Sequence, residues 1–234
     1  MDKFTRKDLK TDKFALEVGH SVEYVSEHRK QVTRYGTIAV VVILVAVAAY
    51  GYLQYRRGER EDALKAALHV QDATVGPSPT EGMLSFPTQQ EKDAAQNKAL
   101  TGVATKYDGT GEGAFAHYYL GTYNADKGNL AEAEKHFKSV VDNGDKNYAS
   151  LAKLSLAIIY GSEGKQAEGE KLLRSVVDKP TVFVSKDQAT IALAKYIMPY
   201  NPQEARKLLE PLRGSVSPVI SKIALSTLAE ILVK

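Results

Sequence analysis

The sequence predicts an all-α chain in which a single N-terminal transmembrane helix is followed by an α-solenoid of stacked helical hairpins. Three observations predict it. An uncharged stretch from Tyr35 to Tyr55 is long enough to cross a bilayer. Between Ala133 and Leu209, small and bulky residues four apart recur with a period of 36. Gly and Pro gather in short clusters between segments rich in Ala, Leu, Lys and Glu, which is the pattern of helices punctuated by turns.

Composition narrows the function classes before any motif is read. The 31 Lys and Arg against 28 Asp and Glu give a net charge of +3, too balanced for a nucleic-acid-binding surface. The chain has no cysteine, which removes disulfides, thiolate metal sites and a thiol nucleophile.

The first 34 residues read as a basic cytoplasmic arm. Lys3 to Lys13 alternates charges of both signs, whereas Asp12 to Arg34 places Phe14, Val18, Val22 and Val25 on one face of a short amphipathic helix lying on the membrane surface. Residues 35–55 form the membrane helix: 21 residues at about 1.5 Å each span roughly 31 Å, the thickness of a bilayer core. Its centre from Ile38 to Ala49 is all Val, Ile, Leu and Ala, and Tyr35, Tyr50, Tyr52 and Tyr55 sit at the ends, where headgroups favour aromatic rings. Ala46-Val47-Ala48 also fits a signal-peptide cleavage site, but the long segment before the run and its apolar continuation favour an uncleaved anchor. Eight basic residues precede the run and four follow it through Lys65, so the positive-inside rule puts the N-terminus in the cytoplasm.

Beyond the anchor, residues 56–113 read as a diverged first hairpin, with helices over Arg57 to Ala73 and Gln89 to Tyr107 around a Pro- and Gly-containing loop from Thr74 to Thr88. Residues 114–213 hold the repetition. Ala133, Gly169 and Ala205 are spaced by 36, and each stands four before Phe137, Leu173 and Leu209, so each pair shares one helix face. Leu120 and Leu156 keep the same period, Ala192 takes the third position, and Gly128 and Gly164 mark turns. Small residues such as Gly121, Ala133 and Ala157 let helices approach while Phe137 and Leu173 fill the gap between hairpins. Residues 214–234 supply a cap, with Ser217 as N-cap, Pro218 at the first helical position and Ile220, Ile223, Ala224, Leu228 and Ile231 on one face.

Leu120-Gly121, Gly128-Asn129-Leu130, Ala133 and Phe137 resemble the tetratricopeptide repeat. The second copy, Leu156-Ala157, Tyr160, Gly164-Lys165, Gly169 and Leu173, has Gly169 in place of the usual Ala. The third is degenerate: Ala192-Leu193, Tyr196, an Asn201-Pro202 turn, Ala205 and Leu209, with Pro211 close behind. The resemblance implies a concave surface built from fixed positions of each first helix. In the first copy these are Phe115, Tyr118, Thr122, Ala125 and Asp126, and in the second Leu151, Leu154, Ile158, Gly161 and Ser162. In the third they are Asp187, Thr190, Ala194, Ile197 and Met198. Members that clamp a carboxylate tail carry Lys and Asn where this chain has Tyr118 and Thr122, so an apolar or amphipathic protein segment is the expected ligand. The alternative is that Phe115, Leu154 and Ile158 simply pack against neighbouring helices.

Motifs for chemistry lack their contexts, so no catalytic, cofactor-binding or metal residue is assigned and the chain is not expected to be an enzyme. Ser150-Leu151-Ala152-Lys153 matches Ser-x-x-Lys, but no Ser-Asp-Asn or Lys-Thr-Gly accompanies it. Gly109 to Gly113 has no Lys-Ser/Thr and follows a helix, so it reads as an inter-repeat turn rather than a phosphate cradle. His69, His117 and His136 have no mutual spacing for a metal.

The order of basic arm, single anchor and tetratricopeptide hairpins resembles the bacterial ancillary subunit family of the SecYEG translocon. That resemblance implies an inner-membrane protein with a periplasmic repeat domain, and translocon subunits, periplasmic chaperones or emerging chains as partners. A scaffold for cell-envelope assembly, serving division, outer-membrane or cytochrome biogenesis, is the alternative.

Overall fold

The computed structural model describes residues 29–77 and 84–233, without the side chains of 232 and 233. The segment of the expected amphipathic helix up to residue 28 lies outside the described residues, as does 78–83 of the long loop. The chain divides into two units, Met1–Gly58 and Glu59–Lys234.

Helix α1 runs over Arg29–His69, so the apolar stretch and the helix expected after it form one continuous helix. In the first unit every described residue through Arg57 is exposed, and the apolar window buries none of itself. The helix is long and apolar enough to cross a membrane, and unlike the core helix of a soluble protein its apolar window is not covered. The hydroxyls of Thr33 and Thr37 donate to the carbonyls one turn earlier, of Arg29 at 2.6 Å and Thr33 at 2.7 Å. Their polarity is thereby satisfied inside the helix.

The second unit is a succession of helices: α2 (Gln89–Lys106), α3 (Gly111–Asp126), α4 (Leu130–Asn143), α5 (Lys146–Ser162), α6 (Gln166–Asp178), α7 (Lys186–Ile197), α8 (Pro202–Leu209) and α9 (Pro218–Val233). A short 3-10 turn, Glu210–Gly214, holds Pro211 between the last two. The last turns of α1 place Ala63, Leu64 and Ala67 against Leu100, Val103 and Tyr107 of α2 and its end, with Leu120 of α3. Glu59 accepts from Lys106 Nζ at 2.8 Å and from the Tyr107 hydroxyl at 3.3 Å, and Arg60 Nε lies 3.2 Å from Glu112.

Between α1 and α2 the expected plain insertion contains a two-residue parallel ladder. Strand β1 (Thr74–Val75) pairs with β2 (Ser85–Phe86) in the register Thr74 to Ser85 and Val75 to Phe86. Thr74 N–H donates to the Leu84 carbonyl, Gly76 N–H donates to that of Phe86, and Lys92 Nζ reaches the Ala73 carbonyl at 2.7 Å. These bonds fasten the two ends of the loop to each other and to α2. The Thr and Phe that form the ladder are ordinary strand residues, but a two-residue pairing is too short to leave a period in the sequence.

Five helix starts follow from their first residues. Thr88, Thr110, Asp145, Ser185 and Asn201 accept from a backbone N–H of their own first turn, and Ser185 with Gln188 forms a reciprocal capping box. The Gly109 to Gly113 stretch, read as a turn, splits: Gly109 has φ +77°, Thr110 caps, and Gly111 opens α3. Gly128 and Gly164 have φ of +77° and +78° at the ends of α3 and α5. In both, the next residue donates back across the helix end, Asn129 to Asn124 and Lys165 to Tyr160, each at 2.8 Å. This left-handed cap satisfies terminal carbonyls that would otherwise be orphaned, and only glycine adopts it without strain.

Packing explains the period. Ala133, Phe137, Gly169, Leu173, Ala205 and Leu209 are all buried, and so is Gly121. A methyl group on Gly121 would stand 2.7 Å from the Phe137 ring, so α3 and α4 touch through bare backbone. Gly169 faces Tyr196: a methyl there would collide with the phenol, and one on Gly161 would lie 2.9 Å from the same ring. The third repeat thus sends a ring back into the second, which is why Gly stands where the family pattern carries Ala. At the far end Ala224 and Leu228 of α9 close on Ile197 and Leu209.

Gly169→Ala is expected to lower unfolding free energy in urea by about 1–3 kcal/mol, the cost of overpacking a tight contact. Gly102→Ala is its control. That glycine is exposed inside α2 with nothing within 4 Å, so the change should stabilise by about 0.5–1 kcal/mol. Truncating the fully enclosed ring, Phe137→Ala, should cost about 3–5 kcal/mol, read as a shift in urea midpoint without a matching change in cooperativity.

Candidate functional site

Helix α3 carries the best-formed apolar hollow among the described pockets. Phe115, Tyr118, Tyr119, Thr122, Tyr123 and Asp126 line a groove of about 310 Å³. The spacing of these residues explains why they converge. Positions 115, 118, 119, 122, 123 and 126 follow the three- and four-residue steps of one helix face. The opposite face of the helix, with Ala116, Leu120 and Gly121, is buried, so α3 is held by its small side and presents its aromatic side.

Rings then extend the surface into the next repeats. Phe115 stands 6.3 Å from Tyr119 and meets Tyr148 of α5 edge-on at 6.0 Å. Tyr148 meets Phe183, in the loop before α7, edge-on at 5.1 Å, and Tyr118 packs on Phe137 at 5.6 Å. Such tilted and edge-on pairs are the favoured arrangements of aromatic quadrupoles. Burial, and secondarily the charge of Asp145, pushes the Tyr148 phenol above its ordinary value. Polarity is supplied at discrete points: the Tyr119 hydroxyl accepts from Gln96 Nε2 at 2.8 Å, and the exposed Asp126 places one carboxylate on the groove wall. A second hollow of about 690 Å³ adjoins through Tyr123 and is polar, with Gln89, Asp93, Asn97, Lys127 and Asn129 around it.

The residues read from the repeat pattern do not all reach this surface. Phe115, Tyr118, Thr122 and Asp126 share the groove, together with Tyr119 and Tyr123, which the repeat positions omit. Leu154 is half-buried between the core around Leu173 and the one around Val176. Ile158 is 71% exposed, and Ser162 is exposed with its hydroxyl donating to the Ile159 carbonyl. Thr190 and Ile197 do not face an open groove. Thr190 is buried with its hydroxyl on the Lys186 carbonyl, and Ile197 is 0% exposed because α8 and α9 close over the end of α7. Of the positions read from the repeat pattern, only those of the first copy line the groove on α3.

The motifs read for chemistry do not assemble among the described residues. Ser150 Oγ is 2.6 Å from the Asn147 carbonyl and 2.7 Å from Thr181 Oγ1, while Lys153 Nζ is on Ser175 Oγ at 3.1 Å. The Ser and Lys of the Ser-x-x-Lys match thus hold separate partners, and the serine lacks an adjacent base. No group of three or more His, Asp or Glu among the described residues gathers as a metal would require. His117 and His136, without mutual spacing in sequence, do meet, with Nδ1 atoms 3.0 Å apart. Their contact crosses from α3 to α4, so helical periodicity could not have revealed it.

A family model described as a tetratricopeptide repeat-like domain matches residues 31–188, taking in most of α1 and the first two repeats and ending at the start of α7. No curated protein and no solved structure matches the chain. With two thirds of its length matched, and with hairpins stacked on small-to-bulky contacts, the chain belongs to the tetratricopeptide repeat-like domain family, whose helical repeats serve as protein-protein interaction modules.

Proposed function

We propose that the chain is a membrane-anchored adaptor that holds a protein segment in the aromatic groove of α3, beside the Sec translocon. The observation that carries the binding role is the groove itself: four half-buried aromatic rings and one exposed carboxylate converge on one face of a helix whose other face is locked into the core. Aromatic side chains offer large contact area at low entropic cost, and a single carboxylate orients the ligand. The anchoring role draws on the uncharged, fully exposed stretch of α1. The excess of basic residues before it supports an N-terminus in the cytoplasm and a repeat domain across the membrane, which in a bacterium is the periplasm. The place beside the translocon draws on the order of arm, anchor and repeats alone.

Topology has a clean test because the chain has no cysteine of its own. In intact cells a membrane-impermeant maleimide is expected to label Ser226→Cys, while Ser26→Cys reacts only after lysis; the reverse pattern sinks the orientation. For the groove, a photoreactive residue at Thr122 or Tyr123 should give protein adducts that the same residue at Lys207, on exposed α8, does not. Mass spectrometry of the adducts then separates the readings: translocon subunits, chaperones or emerging chains support the first, and division, outer-membrane or cytochrome assembly components support a scaffold instead. Tyr123→Ala should weaken recovery of that partner by at least about tenfold while leaving the melting temperature within a few degrees.

A further inference from the structure

On the buried flank of the groove helix, His117 of α3 and His136 of α4 face each other ring to ring. Their Nδ1 atoms are 3.0 Å apart, the centroids 5.3 Å apart, and the planes inclined by 46°. A neutral imidazole has one N–H and one lone pair, so two facing Nδ1 atoms bond only when one carries a proton and the other does not. The pair keeps this bond when uncharged and also when one ring is a cation. A second cation turns both atoms into donors pointing at each other.

We propose that the His117–His136 contact is an acid-sensitive latch between α3 and α4, closed by one proton lying between the two Nδ1 atoms and opened when both rings become cations. The surroundings do not relieve the second charge. Both rings are half-buried, and that burial is the main cause holding each below the ordinary histidine value; for His136 the neighbouring His117 adds to it. The ionisable groups acting on the pair are Asp108, in the turn before α3, and Glu132 and Lys135, both on α4. Asp108 Oδ1 lies 3.6 Å from His117 Nε2, and α2 contributes the Ala104 carbonyl, which accepts from the same ring. Asp108 is itself engaged by Ser139 Oγ at 3.2 Å and Asn143 Nδ2 at 3.1 Å, so it favours a charge on His117 without being free to follow one onto His136. Glu132 favours a charge on His136, but it shares its carboxylate with Lys135 at 3.6 Å, which opposes it.

The sign of the pH effect follows. A ring whose folded value is lowered binds its proton more readily in the unfolded chain, so stability is full above the ordinary histidine value of about 6.5 and is lost as pH falls through and below it. The first contact to yield is the α3–α4 seam, where Gly121 meets Phe137 and from whose outer face the aromatic groove looks out. The inference stands whether or not that groove binds a partner.

The experiment is a histidine-selective NMR titration of the full chain, labelled with 13C at histidine Cε1 in detergent micelles, paired with hydrogen exchange at about pH 7 and about pH 5. His117 and His136 should titrate as one coupled system, each curve showing two steps with the second well below the ordinary histidine value. Exchange in α3 and α4 should rise several-fold at the lower pH while α6 and α7 change little. In His136→Gln, which preserves a hydrogen-bonding side chain without a second charge, His117 should titrate in one step and the extra acid sensitivity of α3 and α4 should disappear. Independent single-step curves for the two rings in the unaltered protein would overturn the latch, as would uniform exchange along the solenoid at both pH values; neither readout depends on the variant folding.

Discussion

The ring of Phe137 occupies the space a side chain at residue 121 would need, and the ring of Tyr196 does the same for residues 161 and 169. Helix separation in the solenoid depends on this matching of absent side chains to large ones. Where two helices meet through backbone and ring, their axes are drawn close, and the rows of Ala, Leu, Ile and Val on either side fall into register behind them. The aromatic face of α3 is a by-product of the same rule: because Ala116, Leu120 and Gly121 fill the seam, the bulky residues of that helix are left on the outside. Groove and core are therefore two faces of one packing solution.

Much of the architecture was legible because a repeat writes its contacts into the sequence at a fixed interval. The 36-residue period between Ala133 and Ala205, and the glycines at 128 and 164, follow from helix geometry and from a turn that only glycine makes cheaply. The apolar stretch of α1 is a property of composition and needs no tertiary information. What escaped is what depends on partners distant in sequence. Tyr119 and Tyr123 fall beside the repeat positions, and only the burial of the opposite face shows that they join the groove. Ile197 has the repeat position of a surface residue, yet α8 and α9 fold over it, because an end repeat serves as a lid rather than as an open surface. Gly169 departs from the usual Ala of the pattern, and the ring of Tyr196 accounts for it.

The polar residues tell a parallel story of satisfaction without reactivity. Ser150 is buried, but its hydroxyl is engaged by Thr181 and a carbonyl, and Lys153 is turned to Ser175. Arg174 of α6 ties Glu170 of its own helix to Glu204 of α8, and the Tyr200 hydroxyl donates to Glu170 at 3.2 Å, which binds the second repeat to the third around their rim. Such clusters stabilise position by satisfying the polar groups they join.

The left-handed caps at Gly128 and Gly164 have a further consequence for how the domain comes into being. They fold the chain back at once, so helices α3 to α9 make their main contacts with helices one or two places away. Closing such short loops costs little entropy, and each hairpin finds its partner surface as soon as the following helix exists. A domain wired this way can assemble in the order in which its segments become available, from its N-terminal side outward, without waiting for its C-terminus. Until α9 covers it, the apolar flank of the last repeat, with Ile197 and Leu209, stays open.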